Sequence, residues 1–291
     1  MFWARRLDLR RNGDGPVIAF EGRVTARAVA VRSWRSVRGA FLAMPFLFLL
    51  TLILGAGLGV AMQGIAPLKD ALAAPKFEDF SIKIVGSYLG AHILGVLAWS
   101  ALVAPLVTAI HRFVLLEERR AGFPFTRFET RNVFYWLAGL LLAVVAARAF
   151  CLLPAAVAFV RMLSEFFVNL GALIVAVQIA LIFPAIAVGV PAASVEKRLD
   201  SGFRMADGHF LLLVRSILLI QIPLAILRVG LMRFAAGPAL TAEPGEPPPL
   251  PLPPTPPQLV AAGAAGLVSI LAIVFLAAAL SWLYAARRKD A

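Results

Sequence analysis

The sequence predicts an all-α, polytopic membrane protein: a bundle of six transmembrane helices with short amphipathic helices at the membrane surface. Of the 291 residues, 61% are hydrophobic and only 15% are charged, whereas a soluble domain is about half apolar and one quarter charged. The mean hydropathy is +0.87. This composition excludes a soluble enzyme and a disordered chain, and the single cysteine, Cys151, excludes an intrachain disulfide.

Six apolar windows supply the predicted spans. Each is long enough to cross the hydrocarbon core as a helix, which needs about 20 residues, and none contains Asp or Glu. The windows are Ala40–Met62, Val85–Ile110, Val133–Leu153, Phe167–Val190, Phe210–Leu231 and Leu259–Tyr284. Residues 40–284 therefore form a single membrane domain. Residues 1–39 lack the pattern of a cleavable signal peptide, so we expect the first window to act as a signal anchor.

The distribution of basic residues predicts the orientation. The net charge is +12, and 20 of the 28 Lys and Arg lie in residues 1–39, 111–132, 191–209 and 285–291. The positive-inside rule places these segments, and with them both termini, in the cytoplasm. Because the charges are divided among short connections, the expected partner is the lipid bilayer with its anionic phospholipid, and no nucleic-acid partner is predicted.

Two connections have helical patterns. Residues 16–39 mix apolar residues with five Arg, and Ala28, Val31, Trp34 and Val37 recur near helical spacing, which indicates a helix lying in the interface. The second predicted surface helix is 194–207. Its expected apolar face is Val195, Leu199, Phe203 and Ala206; Ser194 is its expected cap, and Asp200 and Arg204 form its expected i,i+4 pair.

The connection 238–257 holds 10 of the 20 prolines. Proline lacks an N–H and fixes φ, so this segment is expected to be extended or irregular. In the predicted topology it is an outer loop, either a plain spacer or a PxxP recognition segment. The remaining residues, 285–291, form a basic cytoplasmic tail.

Arginines near the membrane edges are the candidate binding residues. Arg148, Arg215 and Arg228 lie within predicted spans, and Arg161 and Arg233 lie in outer connections. One interpretation is that their side chains snorkel to the interface. The functional alternative is contact with anionic lipid or a small anion, because guanidinium pairs bidentately with phosphate. Four of them, Arg148, Arg161, Arg228 and Arg233, would then form a basic cluster at the outer rim.

The sequence predicts no catalytic residue, cofactor or metal site. The three histidines, His92, His111 and His209, are too few for a zinc site, and no nucleotide-binding or metalloprotease motif is present. The serines within spans, among them Ser281, have no obvious deep partner that would activate a nucleophile. All acids lie in connections or tails, which disfavours an ordinary ion-coupled carrier.

Glycine pairs at GxxxG spacing occur in the first two spans, at Gly55–Gly59 and Gly86–Gly90. Small residues let helix backbones approach closely, so these pairs predict tight helix packing. Packing within the chain is one interpretation, and homodimerisation is the alternative.

Several short motifs carry a family resemblance. They are HRFVLL at residues 111–116, RFETR at 127–131, FPAIA at 183–187, GHF at 208–210 and YAAR at 284–287. Together they resemble the YciC-like bacterial inner-membrane proteins with six helices, and they are similar to the membrane domain associated with glycerophosphodiester phosphodiesterases. The resemblance implies a bacterial inner-membrane location and supplies no catalytic residues. The functional expectation is a non-enzymatic protein with a structural or accessory role at the membrane. The alternatives are a small uncoupled permease and an intramembrane lipid-modifying enzyme.

Overall fold

The structure is a computed structural model that describes residues 24–63, 82–119, 127–152, 167, 170–171, 174–190, 194–206, 210–236 and 255–287. Every regular element that we name in these residues is an α-helix, and the predicted all-α class is confirmed. The helices are α1 (Ala26–Ala43), α2 (Pro45–Gln63), α3 (Ile82–Leu116), α4 (Phe128–Leu152), α5 (Ile182–Ala187), α6 (Val195–Ala206), α7 (Phe210–Ala236) and α8 (Pro256–Arg287).

Four of these helices are long and apolar enough to cross a membrane. They are His92–Leu116 within α3, Phe128–Ala146 within α4, Phe210–Ala235 within α7, and the whole of α8. The pair α1 and α2 passes the same test only when taken together, with a bend of 102° between the two helices. The described residues therefore hold four or five candidate spans, where the sequence predicts six.

The start of the first predicted span needs correction. The window Ala40–Met62 crosses a helix break at Met44, whose φ of −135° and ψ of 53° are not helical. The cause is Pro45, because proline disfavours the helical conformation in the residue before it and is well suited to the first position of a new helix. Ala40–Ala43 consequently belong to α1, and the apolar helix that follows begins at Pro45.

The fourth predicted span, Phe167–Val190, is described only in part. Its described helical portion is Ile174–Ala187, shorter than a full span, with a turn at residues 180–181 before α5 begins. The other four windows lie almost wholly inside α3, α4, α7 and α8, which extend past the apolar windows into polar residues. Helix α8 begins at Pro256, so it includes the last two prolines of the segment 238–257. The N–H and the hydroxyl of Thr255 both donate to Gln258 Oε1, at 2.7 and 3.0 Å, and these bonds cap the start of α8.

Close contact of glycines holds α2 against α8. A Cβ added to Gly59 would lie 2.5 Å from the carbonyl oxygen of Ala262, and one added to Gly266 would overlap the carbonyl of Gly55. Since the higher number on α2 meets the lower number on α8, the two helices run antiparallel. The first glycine pair is therefore used within the chain. In the second pair, a Cβ added to Gly90 would meet no atom of the described residues outside its own helix within 4 Å, and Gly86 lies outside the residues with described side chains.

Two buried clusters define the ends of the bundle. One cluster joins Val29 of α1, Leu115 at the end of α3, Leu213 at the start of α7 and Tyr284 near the end of α8. The other joins the end of α7 to the start of α8, through residues 235, 261 and 262. The first of these ends therefore carries α1, the connection from α3 to α4, and the end of α8.

We call this end the basic end. It comprises Ala26–Ala43, residues 112–119 and 127–131, Val195–Ala206 and Arg287. These residues include twelve Lys and Arg against five Asp and Glu. Segments that are far apart in the sequence thus combine into one positively charged end of the molecule.

Candidate functional site

A network of four charged side chains closes the connection between α3 and α4 at the basic end. Arg112 donates from Nε to Glu118 Oε2, and Arg127 donates from Nη2 to Glu118 Oε1, both at 2.5 Å. Glu129, in the first turn of α4, lies 3.7 Å from Arg112 Nη1. The Glu118 carboxylate therefore bridges two guanidinium groups that flank the connection.

Arg112 also holds the end of α5. Its Nη1 donates to the carbonyl oxygen of Ala187 at 3.0 Å, and carbonyls in the last turn of a helix have no partner within the helix. The chain then leaves α5 through Gly189, whose φ of +78° is the left-handed conformation that favours glycine at a helix end. One arginine thus joins the ends of α3 and α5 to the start of α4.

The charges of this network compensate one another. The hydrogen bond from Arg127 is the main cause of a lowered pKa at Glu118, with the bond from Arg112 adding to it and burial opposing it. The same bond to Glu118 raises the pKa of Arg127. Two arginines and two glutamates leave no net charge, so the network stabilises the connection and does not by itself attract an anion.

Helix α6 packs on α5 through its small residues. A Cβ added to the buried Gly202 would lie 2.6 Å from Cγ1 of Ile182, so the two helices are in close contact there. Arg287 of α8 also contacts α6: its Nε donates to the carbonyl oxygen of Met205 at 3.0 Å, which gives a carbonyl in the last turn of α6 a hydrogen-bond partner. The end of α8 therefore holds α6 at the basic end.

The predicted cap and ion pair of α6 are present. Ser194 Oγ accepts the N–H of Lys197 at 3.2 Å, and Arg204 pairs with Asp200. The predicted apolar face divides into two parts: Leu199 and Ala206 face the protein, whereas Val195 is 65% exposed and Phe203 is 41% exposed. Location of this helix at a membrane surface stays a prediction.

A buried pair of polar side chains joins α3 to α8. His111 Nδ1 lies 2.7 Å from Ser281 Oγ, and both residues are fully buried. Ser281 donates its hydroxyl proton to the carbonyl oxygen of Ala277 at 2.9 Å, so it accepts the Nδ1–H of His111. This arrangement leaves His111 Nε2 buried and without a hydrogen-bond partner among the described residues.

The sequence predicts no deep partner for Ser281, but in the structure His111 lies beside it. The pair does not form a nucleophile site, however. The serine hydroxyl is directed at a carbonyl of its own helix, and both side chains are fully buried. A histidine–serine hydrogen bond between two membrane helices is a packing contact of the kind that stabilises helical bundles.

The candidate arginines are only partly described. The side chain of Arg148 and the whole of Arg161 lie outside the described residues, and Arg215, Arg228 and Arg233 are exposed on α7. Helical geometry places Arg215 and Arg233 on one face, 18 residues or about 27 Å apart, whereas Arg228 points roughly 140° away from Arg233. Arg228 and Arg233 consequently face different sides of α7.

Among the described residues, no group of three or more His, Cys, Asp or Glu is arranged to hold a metal ion. The contacts that sequence reasoning missed are the Arg112–Glu118–Arg127 network and the His111–Ser281 pair. The motif at 111–116 and the one at 127–131 contain His111, Arg112 and Arg127, but nothing in their spacing indicates which residues they contact.

Comparisons with known proteins give no family assignment: no protein-family model, curated protein or solved structure matches the chain. The resemblance to the YciC-like proteins, which depends on short motifs, therefore stays a prediction.

Proposed function

We propose that this chain is a non-enzymatic, multi-pass protein of the bacterial inner membrane with a structural or accessory role and contact with anionic phospholipid. The observation that carries the proposal is the basic end. Contacts from α1, α3, α6 and α8 gather twelve Lys and Arg at one end of an apolar helical bundle. Basic residues concentrate on the cytoplasmic side of membrane proteins, where the leaflet is rich in anionic lipid.

The proposed topology has six spans with both termini in the cytoplasm. The antiparallel contact of α2 with α8, and the meeting of α7 with α8 at the opposite end, agree with alternation of the spans. The start of α1 and the end of α8 share the basic end. A single assignment of this end to the cytoplasm therefore places both described ends of the chain there.

The candidate lipid contacts are Arg148, Arg161, Arg215, Arg228 and Arg233. Arg215 and Arg233 are separated along one face of α7 by about 27 Å, close to the roughly 30 Å thickness of the hydrocarbon core. Side chains with that spacing reach the two opposite headgroup layers, where each guanidinium meets lipid phosphate.

The alternatives are less well supported by the geometry. A permease that used Arg215 and Arg228 would need them to line an internal path, but both are exposed on the outside of the described bundle. A lipid-modifying enzyme would need an accessible nucleophile, and the Ser281–His111 pair is fully buried.

The test uses the full-length protein in two assays. We expect the purified protein to retain phosphatidylglycerol in preference to phosphatidylcholine in native mass spectrometry. In proteoliposomes, we expect neither uptake of labelled anions nor turnover of labelled phospholipid. Uptake that is lost in Arg215→Gln/Arg228→Gln would instead establish the permease, and phospholipid turnover would establish the enzyme.

A further inference from the structure

Helix α1 is fixed to the bundle by one face. Its buried residues are Val29, Ser33, Val37 and Ala40, which recur at helical spacing. A hydrogen bond from α8 adds to this contact: Trp282 Nε1 donates to Ser36 Oγ at 3.0 Å. These contacts fix the rotation of α1 about its own axis, so its opposite face has a defined direction away from the bundle.

The outward face of α1 combines large apolar and basic side chains. Leu42 is 68% exposed and Val31 is 44% exposed. Trp34 is 64% exposed and lies at the edge of this face, where its ring stacks on Phe275 of α8 with 5.2 Å between the ring centroids. Three exposed arginines, Arg27, Arg35 and Arg38, are interleaved with these apolar residues. At 100° per residue, all six lie within about 100° of one another on the side opposite the buried residues.

Within the described residues, no acid pairs with these arginines. Ala26–Ala43 contains neither Asp nor Glu, and among the residues that the structure describes no ion pair or hydrogen bond involves the side chains of Arg27, Arg35 or Arg38. The fourth arginine of the helix, Arg32, instead lies with its guanidinium carbon 5.3 Å from the centre of the Trp282 ring. The outward face thus has three positive charges that no described acid neutralises.

The direction of α1 places the axis of this helix along a membrane surface. The bend of 102° at Met44 sets α1 nearly perpendicular to α2, while α2 runs antiparallel to α8 along the bundle. If α2 and α8 cross the bilayer, α1 extends sideways along its surface at the basic end.

A headgroup layer matches this combination of side chains better than water or nucleic acid does. Exposed Trp, Leu and Val lose their contact with water when they enter the boundary of the acyl chains. Arginine stems lie along the same apolar region while the guanidinium groups reach phosphate. Nucleic acid would neutralise the charges but would leave the apolar side chains exposed.

We infer that the outward face of α1 rests in the headgroup layer of an anionic leaflet, with Arg27, Arg35 and Arg38 bound to phospholipid phosphate. This inference rests on the lipid contact proposed above, and it assigns that contact to α1 in addition to α7. The apolar residues Val31, Trp34 and Leu42 enter the acyl boundary, and the arginines select lipids by charge.

Two matched triple variants separate this inference from the broader proposal. One is Arg27→Gln/Arg35→Gln/Arg38→Gln, and the other is Arg215→Gln/Arg228→Gln/Arg233→Gln; each removes three exposed positive charges. The readout is the ratio of phosphatidylglycerol to phosphatidylcholine retained by the full-length protein from mixed vesicles. We expect the α1 variant to lower this ratio by up to about fivefold for each arginine removed.

The outcomes are distinguishable. If only the α7 variant retains less phosphatidylglycerol, the inference about α1 is overturned, while lipid contact by α7 is supported. If the unaltered protein shows no preference for phosphatidylglycerol, the proposed lipid contact fails together with the inference. An unchanged ratio in the α1 variant, with preference in the unaltered protein, would also overturn the assignment to α1.

Spin labels give a second measurement that does not depend on the stability of a triple variant. The labels replace Val31 or Leu42 one at a time, in a Cys151→Ser background, with a label at the exposed Lys197 as the control. In vesicles containing phosphatidylglycerol, we expect the labels on α1 to be relaxed by oxygen, which partitions into the membrane, and shielded from an aqueous nickel reagent. Access to nickel equal to that at position 197 would place α1 in water, and protection from both reagents would place a protein partner on it; either result overturns the inference.

Discussion

His111 on α3 and Ser281 on α8 are 170 residues apart in the sequence, yet Nδ1 of one lies 2.7 Å from Oγ of the other. Both side chains are fully buried. The hydrogen bond therefore fixes the relative positions of two long helices near the basic end. Its energetic role follows from the rule that a buried polar group costs free energy when it loses its partner.

We expect Ser281→Ala to destabilise the protein by about 1–3 kcal/mol, because His111 Nδ1 would lose its acceptor in a buried position. The double variant His111→Leu/Ser281→Ala removes both polar groups and should be less destabilised than Ser281→Ala alone. Thermal unfolding of the purified variants in one lipid or detergent condition measures both effects. Additive losses in the double variant would show that the pair is not coupled.

The glycine contact between α2 and α8 predicts different effects for two neighbouring glycines. Gly59→Ala should lower the unfolding temperature, because the new Cβ would lie 2.5 Å from the backbone oxygen of Ala262 and the helices would have to separate. Gly57→Ala is the matched control, since its added Cβ would meet no described atom of another helix within 4 Å. Equal unfolding temperatures would contradict the packing. A change of oligomeric state in Gly59→Ala would favour the alternative role in homodimerisation.

The Glu118 network predicts loss of stability in acid. Because the pKa of Glu118 is lowered in the folded state, mainly by the hydrogen bond from Arg127, its contribution is complete above the ordinary carboxyl pKa. That contribution disappears as the pH falls through the lowered value. Glu118→Gln should therefore reduce stability at neutral pH, by about 1 kcal/mol for a partly exposed pair, and should flatten the acid branch of the stability profile.

Unfolding temperatures measured from neutral to acid pH test this expectation. Glu196→Gln on α6 is the control, because Glu196 is exposed and belongs to no ion pair among the described contacts. If Glu118→Gln and Glu196→Gln have the same profile, the network does not stabilise the connection between α3 and α4.

The sequence predicts the all-α class of this fold because a helix that crosses lipid needs a long apolar stretch, which is visible in the sequence. Apolar length identifies α3, α4, α7 and α8 to within a few residues. It does not identify which side of a helix faces protein, because lipid and protein interiors are similarly apolar. In α1 the predicted face included Val31 and Trp34, which are exposed, whereas the buried face contains Ser33 and Ala40. Side-chain size and apolarity alone therefore do not identify the protein side of α1: Ser33 is buried, whereas Trp34 is 64% exposed although its ring stacks on Phe275 of α8.

The contacts at the candidate site could not be predicted for a different reason, namely the distance in sequence between the partners. Arg112 and Glu118 are close in sequence, but the carbonyl oxygen of Ala187 that Arg112 also binds is 75 residues away. The break at Met44, by contrast, follows directly from Pro45. Local rules thus explain the break at Met44, which the continuous window Ala40–Met62 does not take into account, while pairs such as His111 and Ser281 depend on the tertiary arrangement.

The cytoplasmic location of the basic end is the central claim, and a pair of reporter fusions tests it most directly. Green fluorescent protein at the C-terminus fluoresces when folded in the cytoplasm, and alkaline phosphatase inserted within residues 238–257 is active only where its disulfides form, outside the cytoplasm. In a bacterial host we predict a fluorescent C-terminal fusion and an active phosphatase fusion. A dark C-terminal fusion together with an inactive phosphatase in the loop would contradict the claim.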